Sequence, residues 1–251
     1  MLKEIIWMSR HWSKSFSPLN AMRGIKNRWF RFWAGYQTYR KLLSKIDKSE
    51  DLLENLYPCL DDNTGETYID AAYFYQDWWA FNQIVQQQPS AHIDIGSHHK
   101  YVALLSTVVP LTMVDIRPLS LPLETLNFKT GSILDLPFED NSVESLSSLC
   151  VVEHIGLGRY GDPLDPEGSE KAIRELKRVL KSGGYLYFSV PIVGFKNTTY
   201  FNAHRAFTEE YIEECFAPYQ IVEKKYIYDK ELVNERRDKD FGVGLYKVTK
   251  P

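Results

Sequence analysis

Two short apolar segments in the middle of the chain constrain its fold more than any other feature. Residues 92–100 read HIDIGSHHK, and residues 113–118 read MVDIRP. The segment between them is long enough for one helix. A strand, a glycine-containing turn, a helix and a second strand with an acidic tip form the first part of a nucleotide-binding βαβ unit. The sequence therefore predicts a nucleotide-like ligand across the strand ends, with Asp115 accepting hydrogen bonds from ribose hydroxyls.

The rest of the chain continues the alternation of strands and helices. Strands are predicted at residues 126–133, 143–151 and 185–191, and helices at residues 169–181 and 208–216. Two final β-rich segments, residues 219–229 and 241–249, are expected to pair antiparallel at one edge of the sheet. This pattern indicates an open α/β sheet that is mostly parallel.

Charge and aromatic residues are unevenly distributed. Residues 1–46 contain ten Lys and Arg but one acid, so this segment carries about +9 and the remainder about −12. It also holds four of the six tryptophans, which are Trp7, Trp12, Trp29 and Trp33. Such a basic, aromatic helix can pack on its own domain or on a second subunit of a homo-oligomer, or can lie peripherally on an anionic membrane surface. A nucleic-acid partner is not expected, because no RNA-binding motif is present.

Composition also limits the compartment and the domain plan. The three cysteines are widely spaced and form no CxxC motif, which argues against a disulfide framework or a zinc ribbon. No apolar segment has the roughly 18–20 residues needed to span a bilayer, and the polar first residues do not resemble a secretory signal. We therefore expect a cytoplasmic protein, at most peripheral to the inner face of the membrane. Its predicted parts are a basic, aromatic helical extension at residues 1–88 and an α/β domain at residues 89–251.

The last part of the extension, residues 69–88, has helical periodicity and ends before Pro89. This segment is expected to lead into the first strand. Its many aromatic rings are predicted to be core side chains, and some of them could also cover a cofactor.

Four predicted strand ends would meet at one crevice, where open α/β sheets bind ligands. Gly96 allows close approach of a ligand to the backbone, and Asp94 could instead be a buried acid that fastens the turn. The general-base candidates for an acceptor hydroxyl are Glu153, His154 and His204.

Residues 156–168 are rich in glycine and proline, as in a lid or an acceptor-binding loop. Within this loop Arg159 and Asp162 could contact a polar acceptor. Downstream, the pair His204–Arg205 could instead bind an anionic substrate. No metal site is predicted, because no spacing of possible ligands is diagnostic.

Several motifs together resemble the class I S-adenosylmethionine-dependent methyltransferases over about residues 90–230. They read HIDIGS, VDIRP, GSILDLPFEDNSVESLSSLCVVEHI and ELKRVLKSGGYLYFSVP. The segment HRAFTEEYIEE is similar to one in the small-molecule branch of that superfamily. The basic segment, LYPCLDD, GSHHKY and EHIGLGRYGDPLDPEG together resemble a bacterial family of unknown function.

The resemblance implies a Rossmann-like sheet of seven strands with an antiparallel edge strand, and S-adenosylmethionine as cofactor. The residues that it assigns to the cofactor are Asp94, Gly96 and Ser97 at the methionine end, Asp115 at the ribose, Ser132 and Ile133 at the adenine, and Leu149–Val151 at the sulfonium. One departure from the superfamily is that the loop GSHHK has one glycine, where two or three are usual.

Three functions are compatible with these features. The first is a methyltransferase that acts on a small-molecule or glycan-type acceptor. The second is a non-catalytic protein that keeps the methyltransferase fold for binding or assembly. The third, a nicotinamide-dependent oxidoreductase, ranks last because the chain lacks GxGxxG and a YxxxK-like pair.

Overall fold

The computed structural model describes residues 18–45, 56–117, 119–238 and 240–251. Predictions that involve Trp7 and Trp12 therefore lie outside the described residues. The chain forms two compact units, Met1–Tyr68 and Ile69–Pro251. In the first unit, helix α1 spans Pro18–Lys45. No helix within the described ranges is both long and apolar enough to cross a bilayer.

The second unit begins with the helix predicted before the first strand. Helix α2 spans Ala71–Gln87, and the Asp70 side chain caps it by accepting hydrogen bonds from two backbone N–H groups in its first turn. The helix ends at Gln88, which has a left-handed conformation. Because α2 buries Trp79 and Ile84 in the same core as the sheet, this helix belongs to the α/β unit by its contacts.

The elements that follow α2 alternate as expected. In chain order they are β1 His92–Ile95, α3 His99–Leu105, β2 Leu111–Asp115, β3 Leu126–Thr130, β4 Val143–Leu149, a 3₁₀ turn Val152–His154, α4 Gly168–Val179, β5 Leu180–Ile192, β6 Thr198–Tyr200, β7 His204–Ala206, α5 Glu209–Phe216, β8 Gln220–Tyr228, β9 Glu231–Val233 and β10 Gly242–Thr249. The main sheet has the order β3-β2-β1-β4-β5-β10-β8-β9, and β6 pairs with β7 separately.

The predicted Rossmann-like α/β class is confirmed. Strands β3, β2, β1, β4 and β5 are parallel, and β10 is antiparallel to both of its neighbours, β5 and β8. The sheet differs from the expected seven strands in one detail. After a turn at Asp229, which has φ +50°, Glu231–Val233 pairs with β8 and adds a short eighth strand within the described residues.

Helices cover both faces of this sheet. On one face α4 and α5 bury Ile173 and Phe216 against the strands, and on the other α2 and α3 bury Trp79 and Val102. Strand β1 lies between β2 and β4, so the order of the parallel strands reverses there. In open α/β sheets, the crevice beyond the carboxyl ends of the strands at this reversal is where ligands bind.

Candidate functional site

Gly96 brings together three segments at the strand-order reversal. Its N–H donates to the Val114 carbonyl oxygen at 3.0 Å, and its φ of +67° lies in the left-handed region. A Cβ added at Gly96 would lie 3.2 Å from Cγ1 of Val151 and 3.8 Å from Oδ2 of Asp115. The turn after β1, the end of β2 and the segment after β4 therefore share one space. Because Gly96 has no side chain, the three segments can approach one another closely and leave the backbone of the turn accessible to a ligand.

The Asp115 carboxylate has one oxygen engaged by its own turn. Oδ1 accepts a hydrogen bond from the Arg117 N–H at 2.8 Å and lies 3.6 Å from Nε of Arg117. Oδ2 is the oxygen that lies nearest Gly96. A carboxylate held in this way can still accept hydrogen bonds from ligand hydroxyls through Oδ2.

Asp94 uses both of its oxygens inside the protein. Oδ1 accepts from the Ser97 N–H at 3.0 Å, and Oδ2 accepts from the Ser147 hydroxyl. The Ser97 hydroxyl oxygen in turn accepts from the Leu149 N–H at 3.1 Å. Burial raises the pKa of Asp94 to about 6 despite these hydrogen bonds. This geometry favours the first of the two roles considered from sequence, a buried acid that fastens the turn.

A histidine that sequence reasoning missed supports this network. His92 is fully buried in β1, with Nδ1 2.7 Å from Oγ of Ser145 and Nε2 2.9 Å from Oγ of Ser147. Because Ser147 donates its proton to Asp94, His92 must donate to Ser147 through Nε2 and accept from Ser145 through Nδ1. Burial lowers the pKa of His92 to about 3, so the ring is neutral. The sequence feature that could have indicated this network is the pair of serines at alternate positions of the apolar strand β4, Ser145 and Ser147.

Three of the residues predicted for the adenine and the sulfonium present little side chain to the crevice, namely Ser132, Ile133 and Leu149. The Ser132 hydroxyl oxygen accepts from the Leu134 N–H at 3.1 Å within its turn. Ile133 is 6% exposed and Leu149 is 1% exposed, and both pack in the core. Any ligand contact at these positions would therefore involve mainly backbone atoms, and their assignment to the cofactor stays a prediction.

The three general-base candidates lie in one neighbourhood. His154 donates through Nδ1 to the Ala203 carbonyl oxygen at 2.6 Å, and its Nε2 lies 3.7 Å from Oε1 of Glu153. Burial lowers the pKa of His154 to about 4, and the nearby Arg159 and His204 add to this effect. His204 has a buried Nε2 with no partner among the described residues, and its ring contacts those of Tyr200 and Phe241.

Glu153 is the least solvated carboxyl group of this neighbourhood. It is 2% exposed, and its Oε2 has no hydrogen-bond partner in the described part of the chain. Burial raises the pKa of Glu153 to about 8. Burial also raises the pKa of the neighbouring Cys150 thiol, with a smaller effect of the same sign from Glu153. The carboxyl group is therefore mostly protonated at neutral pH and becomes a base as the pH approaches 8.

The glycine- and proline-rich loop at residues 156–168 is held from beneath by Arg205. This side chain is 8% exposed and donates to the carbonyl oxygens of Ile155, Asp165 and Pro166 and to the Ser169 hydroxyl. The expectation that Arg205 binds an anionic substrate is therefore wrong, because burial and these four acceptors occupy its guanidinium.

Asp162 is likewise engaged by the loop itself. Its Oδ2 accepts from the Gly156 N–H at 2.6 Å, and its Oδ1 accepts from the Tyr160 N–H at 3.3 Å. These contacts shape the loop and leave the carboxylate less able to bind an acceptor than the sequence suggested.

Aromatic and cationic side chains surround the mouth of the crevice. The guanidinium carbons of Arg117 and Arg159 lie 4.4 and 5.1 Å from the centre of the Tyr160 ring. The Tyr73 ring of α2 lies 5.2 Å from that of His98. Burial, together with Cys150, Tyr160 and Glu153, raises the pKa of Tyr73 to about 12. A ring of α2 therefore lies beside the loop after β1, as the sequence allowed. Within the described ranges, no group of three or more His, Cys, Asp or Glu side chains is arranged to hold a metal ion.

Comparison with protein-family models gives a match for only part of the chain. Residues 138–236 match the model of a family described as Caenorhabditis protein of unknown function, DUF268. The resemblance to a bacterial family stays a prediction. A search of curated protein sequences gives no match.

Solved structures match over most of the chain. The [4+2]-cyclase SpnF is 14% identical with a TM-score of 0.51, over 70% of this chain and 81% of that one. A provisionally assigned sarcosine dimethylglycine methyltransferase from Galdieria sulphuraria is 15% identical with a TM-score of 0.51, over 70% and 86%. The Burkholderia thailandensis 1,6-didemethyltoxoflavin-N1-methyltransferase, solved with S-adenosylhomocysteine, is 13% identical with a TM-score of 0.50, over 94% and 92%. At such identities the likeness concerns architecture, and the chain has the fold of the class I S-adenosylmethionine-dependent methyltransferases.

Proposed function

We propose that this protein is an S-adenosylmethionine-dependent methyltransferase that acts on a small-molecule or glycan-type acceptor. The observation that carries the proposal is the space shared by Gly96, Asp115 and Val151 at the strand-order reversal. The fold supports it, because a structure of similar architecture is a methyltransferase with bound S-adenosylhomocysteine. Fold alone is insufficient, since the [4+2]-cyclase SpnF has a similar architecture.

The residues at this space fit an adenosyl group. Oδ2 of Asp115 would accept hydrogen bonds from the ribose hydroxyls, and Gly96, which has no side chain, would let the sugar lie close to the backbone. Asp94 and Ser97 would act on the cofactor by fixing the turn that contains Gly96. When bound, S-adenosylmethionine supplies an electrophilic methyl group on a sulfonium. Positioning of the acceptor then provides much of the rate enhancement.

The chain can also supply a proton acceptor. Glu153, with a pKa of about 8, would take the proton of an acceptor hydroxyl, because a base works best when its pKa is near the working pH. His154 is neutral and carries its proton on Nδ1, so its unprotonated Nε2 would help to orient the Glu153 carboxyl. His204, with an unpartnered Nε2, would contact the acceptor.

A thermal-shift titration tests the proposal. Ligand at about 100 times its dissociation constant adds roughly 2.7 kcal/mol to the free energy of unfolding, which for a chain of this size raises the melting temperature by about 5–10 °C. We expect this shift with S-adenosylhomocysteine and none with NAD. A shift with NAD alone would favour an oxidoreductase, and no shift with S-adenosylhomocysteine would refute the proposal.

The second candidate is a non-catalytic protein that uses the methyltransferase fold for binding or assembly. The specific observation in its favour is the loop after β1, where His98 and His99 stand in place of further glycines and their ring centres lie 4.4 Å apart. Transfer of a labelled methyl group in an acceptor screen separates the two candidates. Tight binding of S-adenosylhomocysteine without transfer to any acceptor would favour the second.

We also propose that residues 1–46 bring the protein to the cytoplasmic face of an anionic membrane. Helix α1 contains no acidic residue. Among its exposed side chains are Trp29, Phe30 and Trp33, interleaved with Arg31. Exposed aromatic rings between basic residues suit the interface of a bilayer with anionic head groups. Packing against a second subunit is the competing explanation for the same exposed rings.

A further inference from the structure

Asp77 of α2 lies on the helix face that meets the crevice. It follows Tyr73 by four residues, so the two side chains share one face of α2. The ring of Tyr73 contacts that of His98 in the loop after β1, with the ring centres 5.2 Å apart. This face of α2 therefore lies beside the turn that contains Gly96.

A buried chain of hydrogen bonds fixes the same stretch of α2 to the end of β4. Gln76, which precedes Asp77, is fully buried, and its Oε1 accepts from the Ser189 hydroxyl at 2.9 Å. Oγ of Ser189 accepts from the Cys150 N–H at 3.0 Å. Since Cys150 directly follows β4 and Ser189 lies in the neighbouring strand β5, Asp77 is held near the end of β4.

The carboxyl group of Asp77 has little to neutralise it. Within the described residues, its one hydrogen bond comes from Nε2 of Gln76 at 3.3 Å, and no Lys, Arg or His there forms a salt bridge with it. Burial raises the pKa of Asp77 to about 7, and Asp94 and Asp70 contribute with the same sign. The other groups that face it, Tyr101 and Cys150, remain neutral because burial raises the pKa of each. A half-buried acid without a cation is costly unless a ligand supplies one.

We infer that Asp77 binds the α-ammonium group at the amino-acid end of the cofactor. This inference rests on the proposed function. With the ribose at Asp115 and the reacting centre near the end of β4, the amino-acid end must lie elsewhere in the same crevice. Asp94, the acid assigned to this end by the sequence resemblance, has both oxygens occupied by Ser97 and Ser147. Apart from Glu153, which is assigned to the acceptor, Asp77 is the nearby acid that combines a carboxyl oxygen without a partner among the described residues with the absence of a salt bridge.

The test compares ligands that differ at the amino-acid end. Calorimetric titrations of the full-length parent and Asp77→Asn would use S-adenosylhomocysteine, its analogue without the α-amino group, and 5′-methylthioadenosine, which lacks the amino-acid end. A charge-assisted hydrogen bond contributes enough that its loss should weaken S-adenosylhomocysteine binding by about ten- to a hundredfold. Affinity for the other two ligands should change by less than about twofold. Asp77→Asn should melt at or above the temperature of the ligand-free parent, because it removes a half-buried acid that has no salt bridge.

Asp70→Asn is the matched control, since it removes a carboxylate from the same helix while asparagine still caps it. It should bind all three ligands like the parent. If Asp77→Asn binds S-adenosylhomocysteine as tightly as the parent, or weakens all three ligands equally, the inference is overturned while the proposed function stands. A parent protein that binds none of the ligands overturns both.

Discussion

The conformation of Gly96 allows a quantitative prediction for Gly96→Ala. A residue other than glycine at φ +67° costs about 1–2 kcal/mol. The new methyl group would lie 3.2 Å from Cγ1 of Val151, so this side chain must also shift by a few tenths of an ångström. We expect the free energy of unfolding to fall by about 1–2 kcal/mol. At about 2–4 °C per kcal/mol for a chain of this size, the melting temperature should drop by roughly 2–8 °C.

The same substitution should weaken cofactor binding beyond its effect on stability. The added Cβ would lie 3.8 Å from Oδ2 of Asp115, within the space assigned to the ribose. We expect the affinity for S-adenosylhomocysteine, measured by calorimetry, to fall at least about tenfold, which corresponds to about 1.4 kcal/mol.

Gly183→Ala supplies a matched control. Gly183 has φ +76°, and a Cβ added there would meet nothing within 4 Å. Its N–H donates to the Lys250 carbonyl oxygen, away from the loops of the crevice. This variant should lose similar stability and keep the parental affinity. If Gly96→Ala also keeps that affinity, the space between Gly96 and Asp115 does not hold the ligand. If Gly96→Ala loses no stability, the left-handed conformation assigned to Gly96 is wrong.

Three further predictions concern the loop, the buried acid and the first helix. Arg205→Met should lower the free energy of unfolding by at least about 3 kcal/mol, because it leaves several carbonyl oxygens unpaired, and should speed proteolysis within residues 156–168; unchanged cleavage would contradict the anchoring role. The pKa of Glu153 is raised from 4.5 to about 8, so its contribution to stability is complete below pH 4.5 and is lost as the pH rises through 8. Between pH 4.5 and pH 9, the difference in unfolding free energy between Glu153→Gln and the parent should therefore shift by a few kcal/mol in favour of the variant. The same difference at both pH values would refute this. The full-length protein should sediment with vesicles that contain phosphatidylglycerol but not with pure phosphatidylcholine, and a double Trp29→Ala, Trp33→Ala variant should lose this binding; equal sedimentation with both lipids would argue against the membrane proposal.

The fold could be predicted because its signals are local. Apolar strands of four to seven residues, as in β1, β2 and β4, alternate with helices. In a parallel sheet, consecutive strand ends fall on one edge. The convergence of Gly96 and Asp115 follows from this rule, and a Cβ added at Gly96 would lie 3.8 Å from Oδ2 of Asp115.

Features that depend on tertiary packing were beyond the sequence. Arg205 follows a histidine beside a polar loop, which suggests a surface cation, and only the three-dimensional path of the loop places carbonyl oxygens around it. The pairing of Glu231–Val233 requires a tight turn at a non-glycine residue, Asp229, for which no strong local signal exists. The importance of Asp77 likewise depends on which face of α2 meets the crevice.

The four acidic side chains around the crevice differ in function because their surroundings differ. Both carboxylate oxygens of Asp94 accept hydrogen bonds from serines, so this residue shapes the turn. In Asp115, Oδ1 accepts a hydrogen bond from the Arg117 N–H, and Oδ2, which faces Gly96, can accept one from a ligand. In the part of the chain that the structure describes, Asp77 accepts one long hydrogen bond and Glu153 has an oxygen without a partner. Burial raises the pKa of Asp77 to about 7 and that of Glu153 to about 8. Fewer than four negative charges are thus present at neutral pH. A cationic ligand would ionise Asp77. Glu153 would accept a proton from the acceptor only in its ionised form, whose share grows as the pH rises toward 8, so binding and proton transfer are assigned to different acids of one crevice.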